Sequence, residues 1–450
     1  MANTLLNIQY IGNEGLLVLA NTCVFADKIN RQYSADFAIK EAKIGATTNV
    51  RKPPRFIGTF GPALNVEATQ ETYVPVSLNY QFHVDVQYTM ADLLLAMDQF
   101  KTRILVPQLA AVANRIDSDS AFFSFQNTAL SLGTPGTSPT SYKIFSDARA
   151  ILALEAAPKH MTPCAILDPL SMSSMSDSLK GLFNPQKTLS ENYETGMVAA
   201  KTAGFDWFED QNMPVFTTGA QGGTPILTTP ISGTAFLTSG WAQQGTMATQ
   251  GWTNSTAVIA VGDVIQLAGV FPVNPQNRGQ YGRALKQFVV VPPGGYAPMV
   301  GAAAPGGPAF AAATLANGTF NAATGLYTSG GGGALTLTVR ECCISAGQFQ
   351  NATAAPASGA AITVNGGTAN KSLVSPQGMA IYRDAIALAV VDLPLPRGVA
   401  EAARANDEDL GLSVRFVTQY TVNNDSEPTR ADVLYGIAGL YTQQGLRIMG

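Results

Sequence analysis

From Val74 to Tyr88 apolar and polar residues alternate almost without a break, the period of a strand with one buried face. The period then changes. Leu93, Met97, Phe100, Ile104, Leu109, Val112 and Ile116 recur at helical spacing. Thr89-Met-Ala-Asp92 offers a capping hydroxyl and an acidic first turn just before them. The spacing predicts a helix over 89–119, roughly 45 Å long at 1.5 Å per residue, kinked at Pro107. Ser146–Ala157 predicts a second helix stopped by Pro158, and Ser171–Phe183 a third, with Cys164–Pro169 a short buried strand between them. Near the end, Leu412–Tyr420 alternates strictly, Asn423–Asp425 reads as a turn, and Ala431–Leu440 as a second apolar strand. This mixture predicts an α+β core.

Two stretches break the pattern. Residues 1–36 read as partly helical, with Leu16, Leu17, Leu19 and Val24 on a loose apolar face. Residues 37–88 read as extended chain, because Pro53-Pro54, Gly58 and Gly61-Pro62 exclude a helix. Between Thr217 and Ala369 the chain turns rich in Gly, Thr, Ala and Val and nearly loses its charge. Short strands recur there at Ala257–Leu267, Gln287–Val291, Ala334–Val339 and Ala361–Val364, which predicts a separate all-β unit. Within it, Pro292–Gly333 is Gly/Ala/Pro-rich and reads as a long mobile loop.

Composition narrows the class. At 450 residues the chain exceeds the ~250–300 that one core normally supports. Hydrophobic residues make up 46% but charged residues only 13%, which suits a chain that hides much of its surface against copies of itself. A net charge of −4 is poor material for electrostatic capture of nucleic acid, though it allows a container whose inner wall tolerates DNA. Charge is uneven, however. Between Lys28 and Arg55 there are seven Lys/Arg against two Asp/Glu. Cys23, Cys164, Cys342 and Cys343 form no C-x-x-C and no disulfide framework, and read as reduced, buried side chains. Gly15–Ala20 has the apolar core of a signal peptide, but Glu14 precedes it where a basic region is required. No apolar run is long enough for a membrane span. The chain is therefore expected to be made and kept in solution, with no membrane partner.

Catalytic patterns are missing. His83 and His160 have no Cys, His or carboxylate at metal-ligand spacing, so no metal site is expected. The glycine runs of 294–333 are not followed by Lys-Ser/Thr and a helix, so they cradle no phosphate. Asp407-Glu-Asp409 reads as a solvated turn. We expect no enzyme and no cofactor.

Several stretches, taken in order, carry a resemblance. They are Phe25–Tyr33, Ala42–Phe56, Phe100–Asp117, Gly262–Pro275, Gln287–Val290, Ala354–Val364, Met379–Ala389 and Asp392–Pro396. The chain resembles the major coat proteins of short-tailed double-stranded DNA phages of the P-22 type, which have the capsid fold first seen in phage Hong Kong 97. The resemblance implies an N-terminal arm (1–36) and an extended loop (37–88). It implies a peripheral domain on the long spine helix (89–145) and an axial domain (146–217, returning with the peripheral strands at 371–450). An inserted β-barrel-like domain would occupy 218–370.

The function implied is a major capsid protein that self-assembles, as hexamers and pentamers, into an icosahedral shell around a double-stranded DNA genome. The partners implied are further copies of itself, a scaffolding protein, a portal protein at one vertex, DNA packaged without sequence specificity, and potentially a decoration protein. A separate scaffold is expected because no removable helical segment precedes the core. The place implied is the virion, assembled in the bacterial cytoplasm. The loop is expected to lie over the adjacent subunit, with Arg51, Lys52 and Arg55 making inter-subunit ionic contacts and Pro53-Pro54 stiffening its tip. Flap lysines of some relatives cross-link to a neighbour's asparagine; for Lys40, Lys43 and Lys52 ionic contacts are the preferred reading. Two other classes share parts of this pattern: a cellular nanocompartment shell of encapsulin type, and a secreted β-rich adhesin or hydrolase.

Overall fold

The computed structural model describes residues 23–33, 47–69, 71–89, 106–179, 201–228, 244–282, 284–296, 310–341, 343–365, 371–407 and 412–449. Its backbone is organised by one long strand, Ser426–Gly439. Along one edge it pairs antiparallel with Leu412–Thr418 and Ile386–Val391; along the other it takes all ten residues of Tyr80–Thr89, from Tyr80↔Tyr435 to Thr89↔Ser426. Glu401–Asp407 extends the sheet beyond Leu412–Thr418. The alternation in 80–88 buries Tyr80 and leaves Phe82 and Val84 half-buried against the core, with the Tyr80 and Tyr435 rings 5.5 Å apart.

Helix α1 (Val24–Lys28) and helix α2 (Val106–Asn127) close this core. Leu109, Val112, Ile116 and Phe125 on α2 bury against Phe25 and Ile29 of the arm and against Val433 and Tyr435 of the sheet. After α1 the arm runs beside Ile386–Val391: the Asn30 amide donates to the Ile386 carbonyl at 3.0 Å, and Leu388 donates back at 2.8 Å.

The helix beginning expected at Thr89 differs. Thr89 is the last residue of a strand, and 90–105 lie outside the described residues. Pro107 is the second described residue of α2, and the chain before Val106 lies outside the described residues. The helix also continues past Asp119 to Asn127, because Phe123 and Phe125 keep its apolar face buried.

A second sheet holds another core. Its order is Ser131–Leu132, Gly445–Ile448, Gly378–Ile381, Cys164–Leu167 and Asp206–Glu209. Helix α3 (Tyr142–Leu154) packs Phe145 into it against Trp207, ring centroids 4.4 Å apart, and α4 (Pro169–Leu179) adds Met172 and Met175. Helix α3 starts before the expected Ser146, because Ser141 caps it by accepting from the Lys143 amide.

Residues 223–364 build a third sheet and their own core, centred on Trp252, Ile265, Phe288, Tyr327 and Leu337. The stretch read as one strand from Ala257 to Leu267 is two, Ala257–Ala260 and Val264–Leu267. Between them Gly262 turns the chain at φ +98°, and the buried Asp263 carboxylate accepts from Ala260 N at 2.8 Å and Gly219 N at 3.1 Å. This turn docks on the body: Arg447, itself 2% exposed, donates to the Gly262 carbonyl at 2.7 Å and stacks on Phe125.

The mobile loop expected over 292–333 is not what 310–333 forms. Leu326–Thr328 pairs with Ala257–Ala260 on one side and with Thr319–Asn321 on the other, making a three-stranded sheet. Phe310, Phe320 and Tyr327 stack in sequence, and the Tyr327 hydroxyl donates to Val291 O at 2.6 Å. Aromatic residues spaced through glycine-rich sequence supply the core that composition alone conceals. Residues 297–309 lie outside the described set.

Candidate functional site

Among the described residues no group of three or more His, Cys, Asp or Glu could hold a metal. His83 contacts Asp85 at 2.9 Å on the surface of its strand. The described cysteines, Cys23, Cys164 and Cys343, are free, and burial pushes the Cys164 and Cys343 thiols up to about 11, far from reactive thiolates. Asp407 ends the strand Glu401–Asp407, whereas Glu408, Asp409, Lys40 and Lys43 lie outside the described residues. No helix among the described residues is long and apolar enough to cross a membrane.

What stands out is the hairpin made by Thr47–Lys52 and Thr72–Ser77, paired in unbroken register from Thr47↔Ser77 to Lys52↔Thr72. Its strands alternate, so one face is apolar. Val50, Val74 and Val76 bury against Ala387, Ala389, Ala438 and Leu440 of the same chain. Gly436 lets the two backbones touch; a Cβ there would lie 2.1 Å from the Ser77 carbonyl oxygen. The base of the loop is thus part of its own subunit's body. The sequence reading laid the loop (37–88) over the adjacent subunit; the alternation from Val74 onward also gave its base an apolar face, which buries at home.

The connection 53–69 is different. Phe56 and Ile57 are more than half exposed; Phe60, Leu64 and Val66 are 106%, 91% and 78% exposed. No charged residue occurs from Phe56 to Val66. Yet this tip is pinned. The Glu67 carboxylate accepts from the Ile57 and Gly58 amides at 2.7 and 2.5 Å, which holds it below the usual carboxylate range. Asn65 donates to Thr59 Oγ1 at 3.0 Å. Arg278 donates to the Phe56 carbonyl at 3.0 Å and Gln348 to that of Ala68 at 2.8 Å, so the 223–364 unit props both legs of the tip. Gly58 and Gly61 supply the positive φ the path needs, +74° and +119°. A large exposed apolar patch held in one shape marks an interaction surface.

The three basic residues singled out from the sequence separate. Arg51 points outward, 82% exposed, 3.9 Å from Glu71. Lys52 is buried, its Nζ 5.0 Å above the Tyr441 ring. Arg55 lies against the Phe349 ring at 6.0 Å, and burial lowers its pKa. Lys52 and Arg55 tie the hairpin to its own chain. Sequence reasoning followed the charge and passed over Phe60, Leu64 and Val66. The signal that finds them is an apolar, charge-free run in a Gly/Pro-rich loop, where no core exists to receive it.

A search of curated proteins returns no match. Solved structures that the chain matches include one from Mycobacterium phage Che8, at 10% identity with 95% of this chain and 91% of that chain covered, TM-score 0.40. Another is the acid-stable capsid structure of Helicobacter pylori bacteriophage KHP30, at 9% identity, coverages of 90% and 84%, and TM-score 0.41. A third is a virus-like particle from Pyrococcus furiosus, at 6% identity, coverages of 98% and 100%, and TM-score 0.34. The family assignment rests instead on a sequence profile, that of "P22 coat protein - gene protein 5", which matches residues 1–303. With well over half its length matched, this chain, a mixed helix-and-strand protein bearing a pinned apolar tip, belongs to the P22 coat protein family, the phage major capsid proteins that form the virion shell.

Proposed function

We propose that the hairpin tip is the clasp of the shell: Phe60, Leu64 and Val66 seat in an adjacent copy of this chain, and Arg51 makes an ionic contact at the rim. The observation that carries this is a pinned run without charge from Phe56 to Val66 that leaves Phe60, Leu64 and Val66 largely exposed. Burial of such groups drives association, while the ties from Glu67, Arg278 and Gln348 reduce the ordering cost of docking. Lys52 and Arg55 serve the clasp indirectly by fixing the hairpin's base.

In the same reading the chain follows the Hong Kong 97-type layout, with arm 1–36, extended loop 37–88, peripheral domain 89–145, axial domain 146–217 and closing strands 371–450. Residues 218–370 are an inserted domain, a reading supported by the separate sheet and core of 223–364. Hexamers and pentamers, a scaffolding protein, a portal vertex, DNA packaged without sequence specificity, a decoration protein and assembly in the host cytoplasm belong to this proposal too. The net charge of −4 suits a wall that encloses DNA without gripping it. We propose no enzymatic role.

Electron microscopy of the protein expressed with a scaffold tests the reading. Closed particles are expected from the natural chain, and dispersed, folded subunits when 57–66 is replaced by a Gly/Ser linker. Normal particles from the linker variant would refute the clasp.

A further inference from the structure

Outside the tip, the least expected arrangement is a pair of carboxyl groups under the N-terminal arm. Asp117 on α2 is 0% exposed and Asp210, in the loop after Asp206–Glu209, is 3% exposed. Asp117 Oδ1 accepts from the Ala26 amide of α1 at 2.9 Å, and its Oδ2 accepts from Asn212 Nδ2 at 3.1 Å. Asp210 Oδ1 accepts from the Asn212 amide at 2.8 Å, but its Oδ2 meets no donor. Asn212 therefore bridges the two carboxyls, its amide on Asp210 and its side chain on Asp117. Two ionised carboxylates cannot bond; a single proton between them satisfies the orphan oxygen and removes one buried charge.

Lys28 and Arg31, the basic groups of the arm, both pair with Asp27 on their own turn, at 2.6 and 2.8 Å. From the arm the pair also faces the Cys23 thiol, which donates to the Ala113 carbonyl. On α2 itself, Arg115 is engaged by Asp119, whose carboxylate turns to Tyr435. Burial first, then the charge of Asp210, pushes Asp117 up to about 8.

We propose that Asp117 and Asp210 share a proton as a latch that seats the N-terminal arm on helix α2, so that the arm loosens as the latch loses its proton. The sign follows from linkage. An acid whose folded pKa is raised stabilises the closed arm most below the ordinary value of 3.8. That advantage is lost as pH rises from there to about 8, and is constant above. The opening constant of the arm therefore grows by up to about tenfold per pH unit across that window. The inference concerns one chain and holds whether or not the tip clasps a neighbour, so the two fail separately.

The test is hydrogen exchange at the amides of residues 24–30 in the full-length protein between pH 5 and 9, for the natural chain and for Asp210→Asn. Base-catalysed exchange alone gives a log-rate slope of about one per pH unit; the latch raises it toward about two below pH 8. Asp210→Asn keeps the shape, donates to Asp117 and brings the slope back to about one, and infrared difference spectra lose the protonated-carboxyl band that the natural chain shows at neutral pH. A natural-chain slope near one, an unchanged slope in Asp210→Asn, or no protonated-carboxyl band overturns the proposal. So does restoration of arm protection at pH 9 by magnesium or calcium, which would make the pair a cation site.

Discussion

Replacing both Phe60 and Leu64 by serine separates association from folding. Neither side chain is covered by its own subunit, at 106% and 91% exposure, so the isolated chain loses no buried contact. Its stability is expected to stay within about 0.5 kcal/mol of the natural chain's. If both side chains are buried in a neighbour, each contributes about 2 kcal/mol of transfer free energy per contact. Together that is roughly 4 kcal/mol, close to three orders of magnitude in the association constant of each contact. Sedimentation velocity across a concentration series, with a scaffold present, reads the threshold for particle formation; urea unfolding monitored by circular dichroism reads the subunit. The expectation is a threshold raised by at least tenfold with an unchanged unfolding midpoint. Particles forming at the natural threshold would refute the argument, because the tip would then be exposed in the shell as well. A lowered midpoint would refute it differently, by showing that the tip belongs to its own subunit's core.

Three further outcomes follow from the same geometry. Glu67→Ala frees the Ile57 and Gly58 amides, so it should slow assembly in light-scattering traces while leaving the unfolding midpoint unchanged. Gly436→Ala places a Cβ 2.1 Å from the Ser77 oxygen; it should cost about 1–3 kcal/mol in urea titrations and raise exchange of the 72–77 amides as the hairpin lifts off its sheet. Arg447→Met removes the cation that faces buried Asp263 and the donor to Gly262; it should cost about 3 kcal/mol and expose a protease-sensitive joint near 262, visible by limited proteolysis.

Much of the architecture is legible because it rests on local periodicity. The period of two in 74–88 survives as the strand Tyr80–Thr89, and that in 412–420 as Leu412–Thr418. The uncharged, strand-rich stretch does gather a sheet of its own. Where the reading failed, local signals were in competition. Thr89 looks like a cap, yet a ten-residue ladder with Ser426–Gly439 claims it for a strand. Pairing with a segment more than three hundred residues away leaves no mark on the local pattern. Glycine-rich 310–333 looks mobile, but Phe310, Phe320 and Tyr327 meet only after the chain folds.

The candidate site shows the same division. Seven basic residues against two acidic ones drew attention to the loop's charge, whereas Lys52 and Arg55 turn inward onto Tyr441 and Phe349. By itself the sequence determined that 80–88 and 412–418 are extended, that 109–116 and 146–154 are helical, and that the chain is poor in charge. Tertiary structure alone decided which apolar residues have a home. Val50, Val74 and Val76 are covered by their own sheet, while Phe60, Leu64 and Val66, a few residues away and chemically alike, are left outside. Burial is a property of the whole packed body, set by what the rest of the chain brings alongside, and no window of sequence contains it.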